Sequence, residues 1–154
     1  MTNNQPEFTV EENLNPTKEE VTLHTLQVWL HGARKIGIDE IGKPRQLSYV
    51  VKNKDGLPIG GLLVKIQMKV LHIESAWVNP EYQKLGIGKM LSQKIFQFAN
   101  ENQCEYMLAL SYEFYDALSY LTKNDPLVEI AAQIENCPAP YTLYIFKRKL
   151  VPIA

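Results

Sequence analysis

Seven residues, Gln83-Lys84-Leu85-Gly86-Ile87-Gly88-Lys89, separate two apolar patterns of different period, and this junction constrains the chain more than any other stretch. Before it, residues 70–78 (VLHIESAWV) alternate as a strand does, and Asn79-Pro80 ends the run. After it, Ile87, Met90, Leu91, Ile95 and Phe98 form a helical stripe that reaches about residue 101. Two glycines at a strand-to-helix junction let backbone amides approach a ligand without side-chain obstruction. The helix start adds unpaired N–H groups and the positive end of the dipole, so the junction suits phosphate or pyrophosphate. A P-loop is excluded at both ends. Gln83 stands where its first glycine belongs, and Met90 replaces the Mg²⁺-binding hydroxyl. A Rossmann turn is excluded too, because Leu91 takes the place of the third glycine and the motif follows a hairpin.

The rest of the chain reads as one mixed α/β domain behind a short arm. Residues 1–16 carry few apolar groups and two prolines and read as a polar N-terminal arm; 17–154 form the domain. Thr17 and Glu20 make a capping-box pattern ahead of a helix over about 18–35, with Val21, Leu26, Trp29, Leu30, Ala33 and Ile36 at helical spacing. Strands follow at 46–52 and 58–66 around an Asp55-Gly56 turn, then at 70–78. Strict alternation in the last of these puts His72, Glu74 and Ala76 on one face and Leu71, Ile73 and Ser75 on the other. Beyond the glycine junction and its helix come a strand at 105–111, a short helix at 113–123, and strands at 127–134 and 141–149. The order α-β-β-β-α-β-α-β-β implies a single α/β (α+β) domain with a mostly antiparallel sheet flanked by helices.

Charge narrows the partners. The formal net charge is −1, with 16 Lys plus Arg against 17 Asp plus Glu, which argues against a surface built for nucleic acid. One of those bases and five of those acids lie in residues 1–20, leaving 15 bases and 12 acids in a body of about +3. No stretch suits a membrane span or a signal peptide, so no membrane partner is expected and the cytoplasm is the expected location. Cys104 and Cys137 are too few for a disulfide framework and read as small buried hydrophobes. His24 and His31 lie on one helix without further ligands at metal spacing, so no metal site is read.

Gln83 through Gly88 fits the acetyl-CoA signature Gln/Arg-x-x-Gly-x-Gly/Ala at every fixed position. Together with the Trp77-Val78-Asn79-Pro80-Glu81-Tyr82 strand exit and the order of elements, it resembles the GNAT superfamily of N-acetyltransferases over about 85% of the chain. The resemblance implies acetyl-CoA as cofactor, seated in a V-shaped cleft between the strands that the family counts as fourth and fifth. It implies that amides of Gln83, Lys84, Leu85, Gly86, Ile87, Gly88 and Lys89 hold the pyrophosphate. It also implies that Trp77 and Val78 present main-chain groups to the pantetheine arm and thioester. An extended amide-bearing arm can pair with a strand edge as another strand would, and an N–H aimed at the thioester oxygen stabilises its developing charge.

Acetyl transfer to an amine needs a base, since a lysine-like ammonium has a pKa of about 10.4. Glu74 is the candidate and His72 the alternative. The family's general acid, a tyrosine on the helix after the next strand, maps to Tyr120, with Tyr115 or Tyr112 as alternatives. Ser119 and Asn124 depart from the family's Phe-Tyr-x-x-x-Gly pattern there. The expected activity is therefore direct acetyl transfer to a primary amine in a ternary complex; a non-catalytic acyl-CoA-binding or regulatory module is the competing expectation. Small metabolite, peptide N-terminus and protein lysine all stay open as acceptors. The apolar final strand (Tyr141, Leu143, Ile145) suggests pairing across a homodimer.

Overall fold

A computed structural model describes residues 9–37, 44–115, 123 and 125–150. The elements are α1 (Lys18–Ile36), β1 (Arg45–Lys52), β2 (Pro58–Gln67), β3 (Val70–Val78), α2 (Ile87–Glu101), β4 (Tyr106–Tyr112), β5 (Val128–Ile134) and β6 (Leu143–Lys149). They follow the expected order. Of the helix expected over 113–123, Glu113–Tyr115 form a turn and Lys123 is helical; residues 116–122, including Tyr120, lie outside the described residues.

The capping box forms as read: Thr17 Oγ1 accepts from the Glu20 amide at 3.2 Å, and the Thr17 amide donates back to Glu20 Oε2 at 2.6 Å. Only Trp29 and Ala33 of the α1 stripe are buried, while Val21 and Ile36 are exposed. Asp55-Gly56 turns β1 into β2 with Gly56 at φ 80°, and Asn53 Oδ1 accepts from the amides of both Asp55 and Leu57. Met68 and Lys69 both adopt positive φ between β2 and β3, a two-residue turn built without glycine or asparagine.

The six described strands form one sheet in the order β1-β2-β3-β4-β6-β5. Every pairing is antiparallel except β3 with β4. A parallel pair needs a long crossover, and α2 supplies it. The core lies under α2: Leu91, Ile95 and Ala99 pack on Leu62, Val64 and Ile66 of β2, Leu71 of β3 and Met107 of β4. Met90, read as part of the stripe, is instead exposed. Cys104 is buried in this cluster as expected, whereas Cys137 is only half-buried, and both thiols are free.

The expectation for the final strand is corrected. β6 is interior, hydrogen-bonded to β4 on one side and β5 on the other, so it has no free edge for a second copy. Leu71 is fully buried at the centre of the core. Leu71→Ala should lower unfolding free energy by about 2–5 kcal/mol, read as a shift of the urea midpoint with unchanged slope.

Candidate active site

The site begins with an extra residue in β3. Its register against β2 pairs Leu63 with Ser75 but Val64 with Ile73, so Glu74 is inserted as a bulge. Residues directly opposite on paired strands share a face. Leu71 and Ile73 therefore face α2 opposite Ile66 and Val64, and beyond the bulge Ala76 and Val78 do so opposite Leu62 and Gly60. This corrects the strict alternation: Ala76 leaves the face of His72, and Ser75 and Trp77 join it. The Trp77 indole lies over Gly61 so closely that a Cβ there would sit 2.7 Å from Nε1.

Beyond the bulge the sheet opens. β3 pairs with β4 only from Val70 to Ile73, against Tyr106 to Ala109. β3 then continues to Val78 with β2, and β4 continues to Tyr112 with β6. The Asn79 amide donates to the Ile59 carbonyl at 2.8 Å, which makes Gly60–Val78 a non-hydrogen-bonded pair. Val78, and Ala76 two residues earlier, thus turn their N–H and C=O groups into the gap. Trp77, between them, turns its own toward β2.

The glycine junction lies at the mouth of this gap. Asn79 Oδ1 accepts from the Glu81 amide at 3.0 Å and starts a 3₁₀ turn over Pro80–Tyr82. Gln83 Nε2 then donates to the Val78 carbonyl at 3.2 Å, tying the turn to the strand end. Lys84 at φ 65° and Gly86 at φ 84° bend the chain into α2. Nothing lies within 4 Å of a Cβ built on Gly86, so backbone conformation rather than crowding calls for glycine there. The first helical bond runs from the Met90 amide to the Gly86 carbonyl; the N–H groups of residues 84–89 have no partner among the described residues. The first turn of α2 carries no acid, and Lys89 is exposed within it. Free amides, a dipole end and no opposing carboxylate fit a pyrophosphate.

The opposite face of the sheet holds a cleft of ≈ 370 Å³ lined by Lys65, His72, Ile73, Glu74, Leu108 and Leu110. Lys65 Nζ lies 3.4 Å from Glu74 Oε1. Lys65 pairs with His72 across β2 and β3; it went unnoticed in the sequence because a lysine in a strand carries no signal of its own. Burial, reinforced by the Lys65 charge and opposed by Glu74, holds the His72 pKa below its usual value. His72 is therefore neutral at pH 7. At the far end of β4, Tyr112 stacks on Phe114 at 5.2 Å, and Phe114 touches Tyr115 and Tyr141. Among the described residues no group of His, Cys, Asp and Glu could hold a metal ion. No described helix is long and apolar enough to cross a membrane.

The model of the Acetyltransferase (GNAT) family matches residues 10–121. The chain belongs to this family. The family's cofactor is acetyl-CoA, and the split sheet with its amide-lined junction is the GNAT architecture. An acetyltransferase structure from Bacillus cereus ATCC 14579 is 25% identical, with a TM-score of 0.69 over 91% of this chain and 98% of its own. An Agrobacterium tumefaciens structure shares the fold at 14% identity, with a TM-score of 0.71 over 94% of this chain and 100% of its own. A Bacillus anthracis structure in complex with acetyl coenzyme A is 18% identical, with a TM-score of 0.60 over 71% of this chain and 65% of its own. None of the curated proteins compared matches the chain.

Within the GNAT frame, the strand that ends at Val78 is the third of the described strands, and the cleft lies between β3 and β4. Replacing Gly86 by valine puts a β-branched residue at φ 84°, which disturbs the amide cradle while the empty surroundings spare the core. Calorimetric titration should show acetyl-CoA affinity falling at least about tenfold, a loss of about 1.4 kcal/mol, and the strained backbone should lower the thermal midpoint by a few degrees without unfolding the core.

Proposed function

We propose that the chain is an acetyl-CoA-dependent N-acetyltransferase that moves the acetyl group directly to a primary amine within a ternary complex. The observation that carries this reading is the bulge at Glu74. It parts β3 from β4 where free strand amides, the amide cradle of residues 84–89 and a carboxylate–histidine pair converge on one gap.

In this reading the amides of Lys84 through Lys89 hold the pyrophosphate, while the Gln83 amide, expected to join them, is taken by the Pro80 carbonyl; Lys89 adds a charge from the first helical turn. Ala76 and Val78 offer the strand-like hydrogen bonds for the pantetheine arm; Trp77 contributes its indole and shape rather than its amide. Acetyl-CoA supplies an activated acetyl carbon. Glu74 takes a proton from the incoming ammonium, directly or through a water, and His72, neutral at pH 7, is the alternative base. The amine nitrogen then bonds to the acetyl carbon and the C–S bond breaks. The second nitrogen proton ends on the CoA sulfur, and we assign its delivery to Tyr120. Direct transfer is supported by the cysteines. Burial pushes the Cys104 thiol up to about 11, which keeps it protonated and poorly nucleophilic. Cys137 lies outside the residues lining the cleft.

Two variants test the roles. Glu74→Gln should lower kcat by about 10²–10⁴-fold with little change in acetyl-CoA affinity. Tyr120→Phe should lower turnover while binding persists. Acetyl-CoA binding without CoA release over a broad amine panel would instead identify a non-catalytic acyl-CoA-binding module.

His72 gives a separate pH test. Its folded pKa is depressed, so the stability it contributes is complete above the unfolded value of about 6.5 and is lost as pH falls through the lower folded value. Thermal melts should weaken with acid over that window, and His72→Gln should flatten the slope.

A further inference from the structure

Lys65 Nζ lies 3.4 Å from Glu74 Oε1, so the candidate base already has a cation beside it, and an amine that reaches the carboxylate meets both charges. Both side chains are partly withdrawn from solvent, at 26% and 33% exposure, so their charges act on a ligand with less screening than surface groups. The other described side chains that line the cleft from this face are uncharged: His72 is held neutral, and Leu108 and Leu110 are apolar. Among the described lining residues the cleft thus offers one positive group, one negative group and an apolar wall.

That pattern discriminates among amines. A polyamine would bring several cations to a cleft of no net charge. An aminosugar would set hydroxyls against Leu108 and Leu110, where they find no partners. A plain alkylamine would satisfy Glu74 and leave Lys65 to compete with it. An α-amino acid carries a cation and an anion on one carbon, opposite in sign to Glu74 and Lys65. Its two charges can form an alternating ring with theirs, and its side chain meets the apolar wall. The cleft, at ≈ 370 Å³, lies at the small end of ligand pockets, which suits a molecule of that size.

We propose that the acceptor is a free α-amino acid with an apolar side chain, its ammonium against Glu74, its carboxylate against Lys65 and its side chain over Leu108 and Leu110. This rests on the acetyltransferase reading with Glu74 as base. The ammonium loses one proton to Glu74, the nitrogen bonds to the acetyl carbon as the C–S bond breaks, and its second proton leaves with the CoA thiol. The products are the N-acetyl amino acid and CoA.

The experiment measures CoA release from acetyl-CoA with leucine, leucinamide, 3-methylbutylamine (leucine without its carboxylate), glycine and spermidine. Leucine should exceed 3-methylbutylamine and leucinamide in kcat/KM by about tenfold or more, the scale of one lost charged hydrogen bond. Lys65→Met should collapse that ratio to about one, chiefly through KM, and Lys65→Arg should restore part of it. Leu110 is 59% exposed, so Leu110→Asp should fold normally and lower the preference for leucine over glycine. Equal use of leucine and 3-methylbutylamine, preference for spermidine, or a ratio indifferent to Lys65→Met would overturn the amino-acid assignment while leaving the acetyltransferase standing. Tight acetyl-CoA binding with no CoA release for any amine would overturn both.

Discussion

The four-residue parallel seam between β3 and β4 is the constraint on which the rest of the structure depends. It joins two antiparallel halves, β1-β2-β3 and β4-β6-β5, that otherwise share no strand pairing. So short a seam would be weak alone, and α2 reinforces it by packing on Val64, Ile66 and Leu71 from one half and Met107 from the other. The same helix is the crossover that a parallel pair requires. Because that crossover must start where β3 ends, the unpaired amides of its first turn necessarily lie at the end of the sheet where the halves part. The fold and the proposed cofactor cradle follow from one topological demand.

This also explains how a chain of formal charge −1 serves a phosphate-bearing cofactor. Nucleic-acid binding scales with the number of phosphates neutralised, whereas a single pyrophosphate needs a few N–H groups aimed at one point. In the proposed cradle, Lys84 and Gly86 at positive φ are the residues that would aim them. The first turn of α2 helps by containing no acid.

Much of this was legible in the sequence, and the misses have physical causes. Periodicity located every described strand and both described helices to within a residue or two, and Thr17 with Glu20 marked the start of α1. The Gln83–Gly88 spacing located the turn into α2 because glycine is the residue whose backbone freedom that turn uses. The turn at Met68-Lys69 gave no sign, since neither residue favours positive φ; the pairing of β2 with β3 imposes it. The bulge was invisible for a related reason. A one-residue insertion leaves an alternating pattern readable on either side, and only the partner strand reveals that the phase has changed. Lys65 was missed because its significance lies in being opposite His72 and beside Glu74, a relation that exists only in the folded sheet.

The inserted residue reconciles two demands on one strand. Leu71 and Ile73 must face α2 to complete the core, and so must Val78, which packs against the same cluster. Residues 73 and 78 differ by an odd number, so a regular strand cannot point both to the same face. Without the bulge, Trp77 would turn toward α2 beside Gly60, where a Cβ would already lie 3.3 Å from Ile87 Cγ2. With it, Trp77 rests on Gly61, Val78 joins the core and the amides of Ala76 and Val78 open to the gap. The residue that absorbs the phase change is left without a register partner on β2. In this chain that residue is Glu74, so the defect that opens the cofactor groove also sets a carboxylate beside it.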